Sequence, residues 1–124
     1  MVLIQKFTDL EVWKESHKLT LLVYKTTKKF PKDETFGLVS QIRRAVVSIE
    51  SNIAEGFSRY HFKDRLNFYY QTRGSASEVQ TQLIIAKDLG YITDLDFKIM
   101  FDTSQRVLII LSGLIKSTES RTKR

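Results

Sequence analysis

Cysteine is absent from this 124-residue chain, which removes disulfide frameworks, thiolate metal sites and thiol nucleophiles together. A reducing cytoplasm is the compartment this composition suits. Proline occurs once, at Pro31, and glycine five times, so the chain has few of the residues that break helices or shape tight turns. The only histidines, His17 and His61, share no metal-ligand spacing. No apolar run approaches the roughly 20 residues of a membrane span, and the opening MVLIQKF is shorter than the apolar core of a secretory leader. None of the serines lies in a Gly-x-Ser-x-Gly turn, and no glycine-rich phosphate loop is present. No metal, no cofactor and no membrane partner are expected.

What the chain does contain is 42% hydrophobic and 27% charged residues with a net charge of +6, enough for one compact domain and too little for two. The isoelectric point near 9.6 favours an anionic partner, nucleic acid first.

Four helical segments follow from the periodicity, over about residues 9–29, 34–55, 62–89 and 94–117. The first opens with Thr8 and Glu11 at capping-box spacing and carries Leu10, Trp13, His17, Leu21 and Tyr24 as its stripe. The second carries Leu38, Ile42, Ala45, Ile49 and Ile53, with Gly56 placed as its terminal cap. The third carries Tyr69, Ala76, Val79, Leu83 and Ala86, is interrupted by Gly74 and stops at Gly90. At Gly74 a close helix contact or a bend is expected. The fourth is capped by Thr93 and carries Phe97, Phe101, Ser104, Leu108, Leu111 and Ile115. Beyond that seam lie Ile99, Val107, Ile109, Ile110 and Leu114, a surplus of apolar surface that self-association would bury. The polar tail, residues 118–124, is expected to fray.

Gln41, Arg44, Ser48, Asn52 and Glu55 form a polar ridge beside the apolar stripe of the second helix, and Gln71, Ser75, Glu78 and Gln82 form one on the third. Packed against each other in opposite directions, the two ridges would meet, Arg44 or Asn52 reaching Glu78. A structural network of Ser48, Asn52, Glu55, Ser75 and Glu78 is the expectation. The competing use of Glu55 and Glu78 as paired catalytic carboxylates has no accompanying phosphate loop or Glu-x-x-His pair, so no catalytic residue is assigned.

In GFSRYHFKDRLNFYYQTR, residues 56–73, Arg59, Lys63, Arg65 and Arg73 alternate with Phe57, Tyr60, Phe62, Phe68, Tyr69 and Tyr70. Basic side chains neutralise phosphates and aromatic faces stack on unpaired bases. The same aromatics also suit a core or a subunit interface, with the arginines as a solvated rim.

The order DLEVW, QIRRAVVSIESNIAEGFSR, GSASEVQTQLIIAKDLGY resembles the bacterial four-helix bundle family associated with intervening sequences in large-subunit ribosomal RNA genes. The resemblance runs from about Asp9 to Ile115 and is carried by Gln41, Arg43, Arg44, Ser48, Asn52, Glu55, Gly56, Arg59, Gly74, Ser75 and Glu78. It breaks at Glu50, where the pattern has proline, and at Ala76 and Gln80, where leucine and glutamate are usual. Without that proline the second helix should run straighter. The resemblance implies four antiparallel helices and, through relatives that include the accessory protein of diversity-generating retroelements, a barrel-shaped homopentamer with a basic surface.

The expectation is therefore an all-α, antiparallel up-down four-helix bundle that assembles with itself in the cytoplasm. It is expected to be no enzyme and to bind RNA or DNA through Arg43, Arg44, Arg59, Lys63, Arg65 and Arg73. The alternative is an oligomeric adaptor that holds a protein partner such as a polymerase.

Overall fold

A computed structural model describes residues 6–123. Residues 1–5, most of the apolar opening weighed as a leader, and residue 124 lie outside the described residues. Four helices account for nearly all of the rest: α1 (Glu11–Thr27), α2 (Leu38–Ser58), α3 (Phe62–Asp88) and α4 (Asp94–Thr122). There is no strand among the described residues, and none of the helices is long and apolar enough to cross a membrane.

The helix ends depart from expectation where local chemistry intervenes. Thr8 does not cap α1: it lies in a 3-10 turn (Phe7–Asp9), and the helix starts after Leu10 with no side-chain cap. A second 3-10 turn (Lys32–Glu34) follows Pro31, so α2 begins four residues later than expected. The Glu34 carboxylate accepts the Leu38 N–H at 3.3 Å, placing a negative charge at the N-terminal, positive end of the helix dipole. α2 then runs unbroken through Glu50 and past Gly56. Gly56 is not a cap. A Cβ there would stand 2.8 Å from Tyr69 Cε1 and 3.0 Å from Phe68 Cβ, so the missing side chain is what lets α2 lie close on α3. At Gly74, where such a contact was expected, a Cβ would meet nothing within 4 Å. Gly90 ends α3 with φ 79°, and the Thr93 hydroxyl caps α4 by accepting the Asp96 N–H at 3.0 Å.

One core joins all four helices. Ile42, Ala45, Val46, Ile49 and Ile53 of α2 and Tyr69, Ala76, Val79, Leu83 and Ala86 of α3 are buried in it, in close accord with the apolar periodicity. On α1 the buried face is Val12, Ser16, Leu19, Thr20, Val23 and Thr27, whereas Leu21 and Tyr24 are exposed and Trp13 and His17 half-buried. On α4 it is Met100, Thr103, Ser104, Val107, Leu111, Ile115 and Thr118, with Phe97, Phe101 and Leu108 only partly covered.

The reason is shared. Each buried hydroxyl bonds a carbonyl of its own helix: Ser16 to Val12 at 2.6 Å, Thr27 to Val23 at 2.7 Å, Thr103 to Ile99 at 2.7 Å and Thr118 to Leu114 at 2.7 Å. A helix can thus bury serine and threonine without leaving a polar atom unpaired. Thr118 extends the α4 stripe, and the Tyr70 hydroxyl donates to Glu119 at 2.7 Å. The segment expected to fray is therefore helical through Thr122.

Candidate nucleic-acid interface

Between α2 and α3 the contacts pair Arg44 with Glu78 at 3.4 Å, the hydroxyls of Ser48 and Ser75 at 2.5 Å and Thr72 with the Ile49 carbonyl at 3.5 Å. Positions rise along α2 as they fall along α3. Of the residues expected to form the polar network, Ser48 and Ser75 bond each other across this seam, and Glu78 reaches Arg44. Glu55 instead accepts from Arg59 Nη2, just past the end of its own helix, at 2.7 Å. Asn52 is half-buried and makes no hydrogen bond between side chains among the described residues. The carboxylates of Glu55 and Glu78 are not neighbours: Glu78 meets Arg44, eleven residues before Glu55, which is roughly 16 Å along the axis.

The six basic residues separate into two groups. Arg43 is tied to the end of α1, its Nε–H donating to Thr27 Oγ1 at 2.9 Å and its guanidinium lying 4.6 Å from the Tyr24 ring centroid. Arg44 bonds Gln41 at 3.1 Å as well as Glu78. Neither reaches the α2–α3 link.

Arg59, Lys63 and Arg65 belong to that link and the first turn of α3, and Arg73 follows on the same helix, roughly 16 Å further along its axis. Arg59 lies 4.8 Å from the Phe68 ring centroid and Arg73 5.2 Å from that of Tyr70. Arg65 lies between Phe57 at 5.2 Å and Phe62 at 5.1 Å. Arg121, in the tail set aside as frayed, covers Phe62 as well, at 5.3 Å. A fourth helix expected to end near residue 117 leaves this cation out. Counting Thr118 in the α4 stripe would have carried the helix to it.

So Phe57, Phe62, Phe68 and Tyr70 carry the protein's own guanidinium groups. Stacked arginine keeps its planar fork of N–H donors directed sideways, where phosphate oxygens can take them, and loses less side-chain entropy on binding. The link is pinned as well: Arg65 Nε–H donates to the Arg59 carbonyl at 2.7 Å, and the Arg59 N–H to the Gly56 carbonyl at 3.1 Å. Glu55, Asp64 and Glu119 are the carboxylates on these same turns.

Two tyrosines register the setting. Burial pushes the Tyr69 phenol above its ordinary pKa, with Arg65 opposing. Tyr70 is raised chiefly by its hydrogen bond to the Glu119 carboxylate.

Across the α1–α2 seam, His17 Nδ1 and Glu50 Oε2 are 3.0 Å apart, and the His17 ring stacks on Trp13 at 4.9 Å. His17 is thus hydrogen-bonded but half-exposed, not a core residue. No cluster of three or more potential metal ligands occurs among the described residues.

The fold and this end together define an all-helical four-helix bundle with a basic, aromatic tip. The chain belongs to the family of 23S rRNA-intervening sequence proteins, whose family model matches residues 8–113. In fold it is similar to a crystal structure from Bacteroides thetaiotaomicron, described as a protein of unknown function from the S23 ribosomal protein family. That likeness has a TM-score of 0.78 at 23% identity over 85% of this chain and 95% of the other. No curated protein matches this chain.

Proposed function

We propose that this chain is a non-enzymatic, cytoplasmic protein that binds RNA or DNA through the basic end at the α2–α3 link. In this proposal the bundle is antiparallel and up-down, and it assembles with itself as the pentamer that the resemblance implies. The observation that carries the binding reading is the stacking of Arg59, Arg65 and Arg121 on Phe57, Phe62 and Phe68 at one end, continued along α3 by Arg73 on Tyr70. The net charge of +6 supports it, and so does membership of a family described by a ribosomal RNA sequence. Lys63 is exposed beside these arginines, whereas Arg43 and Arg44, engaged elsewhere, stand outside the proposed contact.

The test is fluorescence anisotropy with duplex DNA, single-stranded DNA and hairpin RNA at about 50 and 200 mM salt, because phosphate-driven binding weakens steeply over that range. Replacing Arg59 and Lys63 together by glutamate should weaken binding and flatten its salt dependence. Unchanged binding by that variant would place the contact elsewhere. If the wild-type protein binds all three ligands weakly and alike, and a protein survives nuclease treatment in a pull-down, the adaptor reading replaces this one.

A further inference from the structure

With their faces against guanidinium groups, Phe57, Phe62, Phe68 and Tyr70 are poorly placed to stack on bases. Tyr60 is different. It is the middle residue of the three-residue link between α2 and α3 and is 88% exposed. Its ring meets His61 edge to face, with centroids 5.0 Å apart and planes at 89°.

The backbone on both sides is held: the Arg59 N–H bonds the Gly56 carbonyl at 3.1 Å, the Asp64 N–H bonds the His61 carbonyl at 3.1 Å, and Arg65 grips the Arg59 carbonyl at 2.7 Å. An open aromatic ring is therefore presented from a tight, braced turn, with Arg59 before it and exposed Lys63 after it. Phe36 is more exposed still, at 97%, but it lies in the α1–α2 connection, at the other end of α2 from the arginines stacked beside the α2–α3 link.

We infer that Tyr60, braced by His61, is a stacking platform for an unpaired base, and that the ligand class is single-stranded or looped nucleic acid and not duplex. This rests on the nucleic-acid reading above and narrows it. A base inside a duplex offers no free face to a ring on a short turn, whereas an unpaired base does. The neighbouring cations then hold the phosphates on either side of the stacked nucleotide.

The test uses the full chain, a 12-nucleotide oligo-dT, the matching oligo-U and a 12-base-pair duplex, read by anisotropy. Tyr60→Ala should weaken binding of both single strands by roughly 5- to 150-fold, the range that loss of one base stack represents. It should leave duplex binding unchanged. Tyr60→Phe should restore single-strand affinity, since the ring and not the hydroxyl makes the stack. Because Tyr60 is exposed, circular dichroism of the variants should match wild type. Single-strand affinity unchanged in Tyr60→Ala, or a loss equal for single strands and duplex, overturns the stacking inference while leaving phosphate binding by the arginines standing. If wild type binds none of these ligands, the broader reading falls and this one with it.

Discussion

Two glycines on neighbouring helices have opposite physical meanings. At Gly56 an added Cβ would run into the Tyr69 ring at 2.8 Å. Gly56→Ala should therefore destabilise the bundle by about 1–3 kcal/mol, as overpacking does. At Gly74 the space is open, and Gly74→Ala should stabilise by about 0.5–1 kcal/mol by lowering the entropy of the unfolded chain. Urea midpoints of the two variants, moving in opposite directions, are the check. Tyr69 sets a pH dependence. Its phenol pKa in the folded state is raised above the ordinary 10.0, first by burial. The folded state thus binds the proton more tightly, and the stabilisation is full below pH 10 and is lost as pH rises through the folded value. Tyr70 and Tyr91, raised by hydrogen bonds to Glu119 and Glu34, act in the same direction. Melting temperature should fall above pH 10, and less steeply in Tyr69→Phe.

At the scale of the helix, hydroxyl groups decide which face is buried. The large apolar residues of α1 predict a stripe through Leu21 and Tyr24, yet the helix turns Ser16, Thr20 and Thr27 inward because each bonds a carbonyl of its own helix. Between α2 and α3, Ser48 and Ser75 exchange a hydrogen bond at 2.5 Å. A double-mutant cycle with Ser48→Ala and Ser75→Ala should give a coupling of about 1 kcal/mol. A coupling near zero would mean that the hydroxyls are satisfied separately. The last turns of α4 make a further prediction. Truncation after Ser117 removes buried Thr118, the Glu119 partner of Tyr70 and the Arg121 cover on Phe62. Amide exchange should then speed up at residues 62–70, at the start of α3. Unchanged protection there would show that the two helix ends are independent.

For the whole molecule, the exposed aliphatic side chains of α4 mark a face apart from the basic tip. Of the surplus apolar residues on α4, Val107 is core and Ile110 and Leu114 pack against it, which leaves Ile99 and Ile109 exposed, joined by Leu95. Their spacing puts the three within an arc of roughly 80° on an α-helix, a stripe suited to a second copy of the chain. Ile109 is 71% exposed, so Ile109→Glu should leave the fold intact and shift the protein towards monomer in light scattering coupled to gel filtration. An unchanged mass would clear this face of the proposed assembly.

The four helices and the core of α2 and α3 were legible in the sequence, because the buried face of α2 is apolar throughout and that of α3 is apolar apart from Thr72 and Gln82, at helical spacing. The stop at Gly90 and the cap at Thr93 were legible for the same kind of local reason, each depending on one residue and its near neighbours. The basic, aromatic character of residues 56–73 was legible too, but its grouping was not. Arg43 joins α1, Arg44 joins Glu78 and Arg121 arrives from the far end of the chain, contacts that no spacing within one helix encodes. Packing likewise decided that Gly56 marks a close approach and Gly74 does not, since a glycine's role depends on what stands opposite it. Local pattern determines where helices form and which residues tend inward; only the meeting of helices decides which cation covers which ring, and which ring is left open.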